Sequence, residues 1–119
     1  MIIELEEYKY KLIGMRKEIA ELRDSLRIDE LTKQVNEMEE KTLDPDFWGD
    51  QTNSSKILQS IKQGKKKLDE FNGLAQRLED AIALADMAIE ENEEGYAEEV
   101  KAELEAIEAQ EERMIIEIL

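Results

Sequence analysis

Apolar residues recur along the chain at alternating spacings of three and four. Leu5, Tyr8, Leu12, Met15, Ile19, Leu22 and Leu26 keep that rhythm without a skip, which is the a/d seam of a helix packed along its length against another. A first helix is therefore predicted over about 3–26. Asp29 reads as the N-cap of a second, over about 29–42, in which Leu31, Val35 and Met38 continue the spacing from Ile28. Glu7 with Lys11 and Glu37 with Lys41 stand four apart in the favourable order and are expected to pair on the outer faces. Positions 57, 61, 64, 68, 71, 75, 78, 82, 85 and 89 hold one heptad phase through a third helix, predicted over about 52–92. Gly64 and Asn72-Gly73 fall inside it, but an inserted turn breaks heptad phase and the phase survives, so a continuous helix is expected, bent if anywhere near residue 73. Gly95 punctuates, and Ala97, Val100, Leu104, Ile107 and Met114 mark a fourth helix over about 96–118, its seam interrupted by Glu111.

At about 1.5 Å per residue the third helix is about 60 Å long, and the first two laid end to end come to about 57 Å. The expected fold is all-α: an elongated antiparallel helical bundle or coiled coil of four helices, in one domain over 1–119. The fourth helix covers only the later part of the third. One end is then a three-helix bundle and the other a two-helix hairpin, with Ile28, residues 67–73 and residues 114–119 expected at the junction.

The rare residues are concentrated in one place. Residues 43–51 read L-D-P-D-F-W-G-D-Q and hold the only proline, the only tryptophan and one of the two phenylalanines. Asp44 can cap a short helical turn, Pro45 suits its first position, Gly49 ends it, and Asp50 or Thr52 caps the long helix. Phe47 and Trp48 admit two readings: they plug the open end of the hairpin, folding over residues such as Met38, or they anchor a partner, as bulky aromatics at exposed tips do.

Composition narrows the chemistry. Charged residues make up 39% of the chain and aromatics 5%, which suits thin helical seams better than a thick core. There is no cysteine and no histidine, so thiolate metal sites and the commonest general base are absent. The acidic run E-E-N-E-E-G-Y lacks the alternating ligands of a calcium loop. No catalytic, cofactor-binding or metal-binding residue is expected, and the chain does not read as an enzyme. The N-terminus has no secretory signature and no apolar run is long enough for a membrane span, so a cytoplasmic location is expected.

The net charge of −15 is uneven. Residues 79–119 carry 15 acidic and 2 basic side chains, whereas residues 43–78 carry 5 and 6. The acidic third repels phosphate backbones. Lys62, Lys65, Lys66 and Lys67 form the one basic cluster, read either as a solvated helix face or as an RNA phosphate contact.

Asp44-Pro45-Asp46-Phe47-Trp48, followed by Asp50-Gln51, resembles the Pro-Asp-Phe-Trp segment in the N-terminal helical domain of bacterial peptide chain release factor 2. The opening L-E-E-Y-K-Y-K-L (5–12) and L-R-D-S-L-R-I-D (22–29) are similar to the family in order and spacing, with a departure at Arg27, where many members have Asp. The resemblance implies a part in translation termination, at stop codons UAA and UGA in the whole protein. It implies partners too: the ribosome, at the stalk base and GTPase-associated region; the GTP-binding class-II release factor; and the rest of a release-factor chain. The codon-reading Ser-Pro-Phe and hydrolytic Gly-Gly-Gln of the family do not occur in these 119 residues, which implies an interaction module without catalytic or codon-reading residues.

Two other classes stay open. A generic coiled-coil scaffold fits the heptads, and a prefoldin-like chaperone subunit fits length and charge but needs a β-hairpin that residues 43–51 are too few to form. The chain closes on M-I-I-E-I-L (114–119). The seam needs only Met114 and Ile118, so Ile115, Ile116 and Leu119 are expected in an inter-domain contact. In the chain alone they are expected to drive weak self-association, removed by changing the three to Ser and read by sedimentation.

Overall fold

The computed structural model describes residues 2–119 and is all-α. Its elements are α1 (Ile2–Ser25), α2 (Ile28–Lys41), a 3-10 turn (Pro45–Gly49), α3 (Gln51–Glu90), a second 3-10 turn (Glu94–Tyr96) and α4 (Ala97–Ile118), with no strand among the described residues. Two compact units share α3: Met1–Leu22 with Gly73–Leu119, and Arg23–Asn72. α3 runs unbroken through Gly64 and Asn72-Gly73.

The first unit is a three-helix bundle. From α1 the expected seam residues Leu5, Leu12, Met15, Ile19 and Leu22 are buried. α3 here carries two seams rather than one. Leu78 and Ala85 are shared; Ile82 belongs to the expected phase, while Leu74, Ala81 and Ala88 form a second stripe one position over, all of them buried. A helix between two partners needs this wider apolar face. α4 contributes Ala97, Val100, Leu104, Ile107 and Met114. Ion pairs set the registers. Lys9 pairs with Asp86 at 2.5 Å and Arg16 with Glu79 at 2.7 Å, so seven residues forward on α1 match seven residues back on α3, as antiparallel packing requires. Arg77 of α3 grips Glu103 of α4 and reaches Gln110 at 3.5 Å. The same-helix pairs expected from Glu7–Lys11 and Glu37–Lys41 are not ion pairs here. These acids and lysines lie on exposed faces, where a single same-helix pair gains little over hydration.

The second unit packs α2 and the 3-10 turn against the first half of α3. Its core is Ile28, Val35, Phe47, Ile61 and Phe71. α2 does not begin on an Asp29 cap. Arg27 occupies the left-handed region (φ 55°, ψ 47°) with no side-chain cap bond; its N–H donates to Asp24 O at 3.1 Å and its carbonyl accepts from Leu31 N–H at 2.9 Å. One residue thus closes α1 and opens α2, and Asp29 is free to pair with Arg23 at 2.5 Å. Aspartate enters the left-handed region more readily than arginine, which fits the Asp that the resemblance leads one to expect at this turn.

Gly95 does not end α3. Asn92 does, at φ 53°: its N–H donates to Ile89 O at 3.2 Å and that of Glu93 to Ala88 O at 2.8 Å, the paired bonds of a Schellman motif.

Candidate partner-binding surfaces

The turn between α2 and α3 is built from its own sequence. Asp44 Oδ1 accepts from Asp46 N–H at 3.0 Å, Pro45 takes the first helical position, and Asp50 Oδ1 accepts from Asn53 N–H at 3.1 Å to start α3. The two aromatics then part company. Phe47 is 9% exposed and is the end plug, whereas Trp48 is 56% exposed and does not close the tip. The reason is a hydrogen bond. Helix ends leave carbonyls without intrahelical donors, and Trp48 Nε1 donates to Thr42 O at 3.2 Å just past the end of α2. That bond holds the indole at the surface, edge-on to Phe47 at 4.9 Å and 88°. Leu43 is 81% exposed on the same turn. The spacing of α2 gives it no seam position: after Ile28, Leu31, Val35 and Met38 the rhythm calls next for residue 42, which is threonine.

Lys62, Lys65, Lys66 and Lys67 are all exposed on α3. Lys65 bonds Glu39 of α2 at 2.9 Å, and that bond holds its ammonium pKa above the ordinary range. Among the described residues the other three enter no ion pair. Lys62, Lys65 and Lys66, with Leu58 and Ile61, line a shallow groove that ends at Asp69 and Glu70.

At the end of α4, Ile115, Ile116 and Leu119 are exposed, and so is Ile118. The seam therefore stops at Met114, one turn sooner than the spacing predicts. Among the described residues no three carboxylates converge where they could hold a metal ion, and no helix is long and apolar enough to cross a membrane.

Glu111 occupies a seam position of α4 and is buried, with Oε2 lacking any hydrogen-bond partner. Burial pushes its carboxyl pKa up, and the neighbouring charges of Glu18 on α1 and Glu108 on α4 add to the rise. An acid whose pKa is raised by folding costs stability when charged, so the cost is full above the folded pKa and is relieved as pH falls towards about 4.5, the ordinary value. Glu79 has the opposite sign. The hydrogen bonds from Arg16 hold its carboxyl below the usual range, so what it contributes is present above the ordinary value and lost on acidification. Glu111→Leu is expected to raise stability by about 1–3 kcal/mol near neutral pH, the range for relieving an unsatisfied buried polar group. The gain should shrink as pH falls, and urea denaturation at neutral and mildly acidic pH reads both; an equal or lower stability at neutral pH overturns the assignment.

Sequence comparison bears on all three surfaces. A family model described as the PCRF domain matches residues 31–119, which takes in most of α2 and all of α3, α4 and both 3-10 turns. The chain is 34% identical over 107 residues to peptide chain release factor 2 of Clostridium perfringens (strain SM101 / Type A), covering 90% of the chain and 29% of that relative. It is 32% identical over 89 residues to peptide chain release factor 2 of Lactiplantibacillus plantarum, covering 75% of the chain and 24% of the relative. The same-named protein of Mycolicibacterium smegmatis is 33% identical over 95 residues, covering 76% and 26%. The chain thus spans 29% or less of the length of these relatives.

Proposed function

Since the chain belongs to the PCRF-domain family and is release factor 2-like, we propose that it acts in translation termination, in the cytoplasm, as a ribosome-interacting helical module that neither reads codons nor hydrolyses peptidyl-tRNA. The whole protein of which such a module is part would act at UAA and UGA. The stalk base with its GTPase-associated region, and the GTP-binding class-II release factor, are the partners this reading assigns. Ile115, Ile116 and Leu119 would contact the rest of a release-factor chain.

The observation that carries the interaction reading is Trp48. Its ring is exposed yet fixed in place by its bond to Thr42 O, and Leu43, next to Thr42 in the sequence, is exposed as well. A pre-positioned tryptophan loses little entropy on docking, and tryptophans are frequent anchors of protein interfaces. Co-sedimentation of the chain with purified ribosomes tests the reading. Binding is expected, competed by a whole release factor 2 and weakened at least tenfold by Trp48→Ala, with no codon-dependent peptide release by the chain. Absence of binding, or binding that a whole release factor leaves untouched, overturns it.

A further inference from the structure

The first half of α3 differs in charge from everything around it. Residues 51–68 contain five lysines and no carboxylate, in a chain with 31 carboxylates. This segment alone is +5, so the remainder of the chain is −20 against the total of −15. A helix face that needed only hydration has no reason to exclude glutamate, which elsewhere in this chain is the ordinary surface residue.

The excluded region has an outward face. At 100° per residue Lys56, Gln59, Lys62, Gln63, Lys66 and Lys67 fall within one broad arc, opposite Ile57, Ile61, Gly64 and Leu68, and all six are exposed. Lys65 lies on the flank and is held by Glu39 at 2.9 Å; among the described residues the other four lysines enter no ion pair. The face therefore offers mobile ammonium groups interleaved with neutral amides, and serines 55 and 60 extend it with hydroxyls. From Lys56 to Lys67 it spans about 18 Å along the helix before Asp69 and Glu70 close it.

We propose that this face of α3 binds the phosphate backbone of RNA. Lysines act as point charges toward phosphate, and Ser and Gln hydrogen-bond phosphate and sugar oxygens. The segment holds no arginine, so its phosphate contacts are those of lysine point charges and not of bidentate forks. Nor does it hold an aromatic residue to stack a base. The contact is therefore independent of base sequence and sensitive to salt. Net repulsion from the other −20 charges confines an RNA to this face, so the same charge pattern supplies attraction and orientation. The inference rests on the ribosome-binding reading above and names the surface and the chemical class of its partner.

The test uses the 119-residue chain and purified ribosomes at several salt concentrations. Lys56→Gln with Lys66→Gln and Lys67→Gln should weaken binding at least tenfold and reduce the slope of log affinity against log salt by about 3. Lys17→Gln with Lys33→Gln and Lys101→Gln removes the same total charge elsewhere and should change affinity less than about twofold. All six lysines are exposed, and circular dichroism checks that both variants keep the helical content. A photo-crosslinking side chain at Gln59 should label ribosomal RNA. If the unaltered chain binds and the first triple variant binds equally well, or if the label lands only on ribosomal proteins, the RNA face is wrong while the ribosome-binding reading stands. If the unaltered chain does not bind, both fall together.

Discussion

Phe47→Ala should cost about 3 kcal/mol of unfolding free energy, at the lower end of the range for removing a buried phenylalanine. The ring is nearly sealed and belongs to the core of the second unit, which has few large side chains: Ile28, Val35, Ile61 and Phe71 besides itself. A cavity there has few neighbours able to collapse into it. Trp48→Ala, next in sequence, should cost only about 1 kcal/mol, the net value of one hydrogen bond with a little lost edge contact. The contrast inverts what residue size suggests, since tryptophan is the larger ring. Urea denaturation followed by circular dichroism measures both changes. A Trp48→Ala cost equal to or above that of Phe47→Ala returns the plug to Trp48. The pair also separates stability from binding: Trp48→Ala is expected to keep the fold and weaken ribosome association, so loss of association cannot be ascribed to unfolding.

How much of this was readable beforehand depends on the kind of interaction. The helices and the all-α class were legible because heptad spacing is a one-dimensional image of burial along a seam: Leu5, Leu12, Met15, Ile19 and Leu22 are spaced that way and are buried. The second stripe of α3 was not, because Ala81 and Ala88 are as common on exposed helix faces as in cores, and only a second partner helix gives them meaning. Ion pairs between helices are hidden from sequence for a related reason. Sequence shows pairs four apart on one helix, whereas Arg16–Glu79 is 63 residues apart and depends on the register of two helices. Arg27 and Asn92 carry no advance mark of their left-handed backbone, although Asn is a frequent helix terminator and Gly95, three residues on, is the more conspicuous breaker. Of the candidate surfaces, the aromatic turn was legible as a place but not in its division of labour, which a single bond to Thr42 O decides. The carboxylate-free stretch of α3 was in plain view. The lysines at 62–67 are the conspicuous half of the signal, and the stronger half is what the 18 positions 51–68 leave out.

Gly64→Leu should destabilise the chain by about 3 kcal/mol, the upper range for overpacking a core, and even Gly64→Ala should be unfavourable. In an exposed helix interior, glycine to alanine gains about 1 kcal/mol. At Gly64, however, a Cβ would lie 2.6 Å from Val35 Cγ2 and 3.5 Å from Leu31 Cδ1. The glycine is therefore the point of close approach between α2 and α3, not an irregularity of the heptad pattern. Val35 cannot swing aside easily, because it is buried and a β-branched side chain in a helix has one strongly preferred rotamer. The clash outweighs the propensity gain, giving a net cost of about 1 kcal/mol for Gly64→Ala. Val35→Ala removes the obstructing methyls, so the Gly64→Ala/Val35→Ala double variant should be more stable than the sum of the two single costs by at least about 1 kcal/mol. Gly73 supplies the internal control: it lies in the same helix, its backbone φ is not positive, and an added Cβ would meet nothing within 4 Å. Gly73→Ala should stabilise by about 0.5–1 kcal/mol. The same substitution nine positions apart in one continuous helix is thus expected to carry opposite signs, and denaturation midpoints that move in the same direction for both would remove the close contact of α2 with α3 at Gly64.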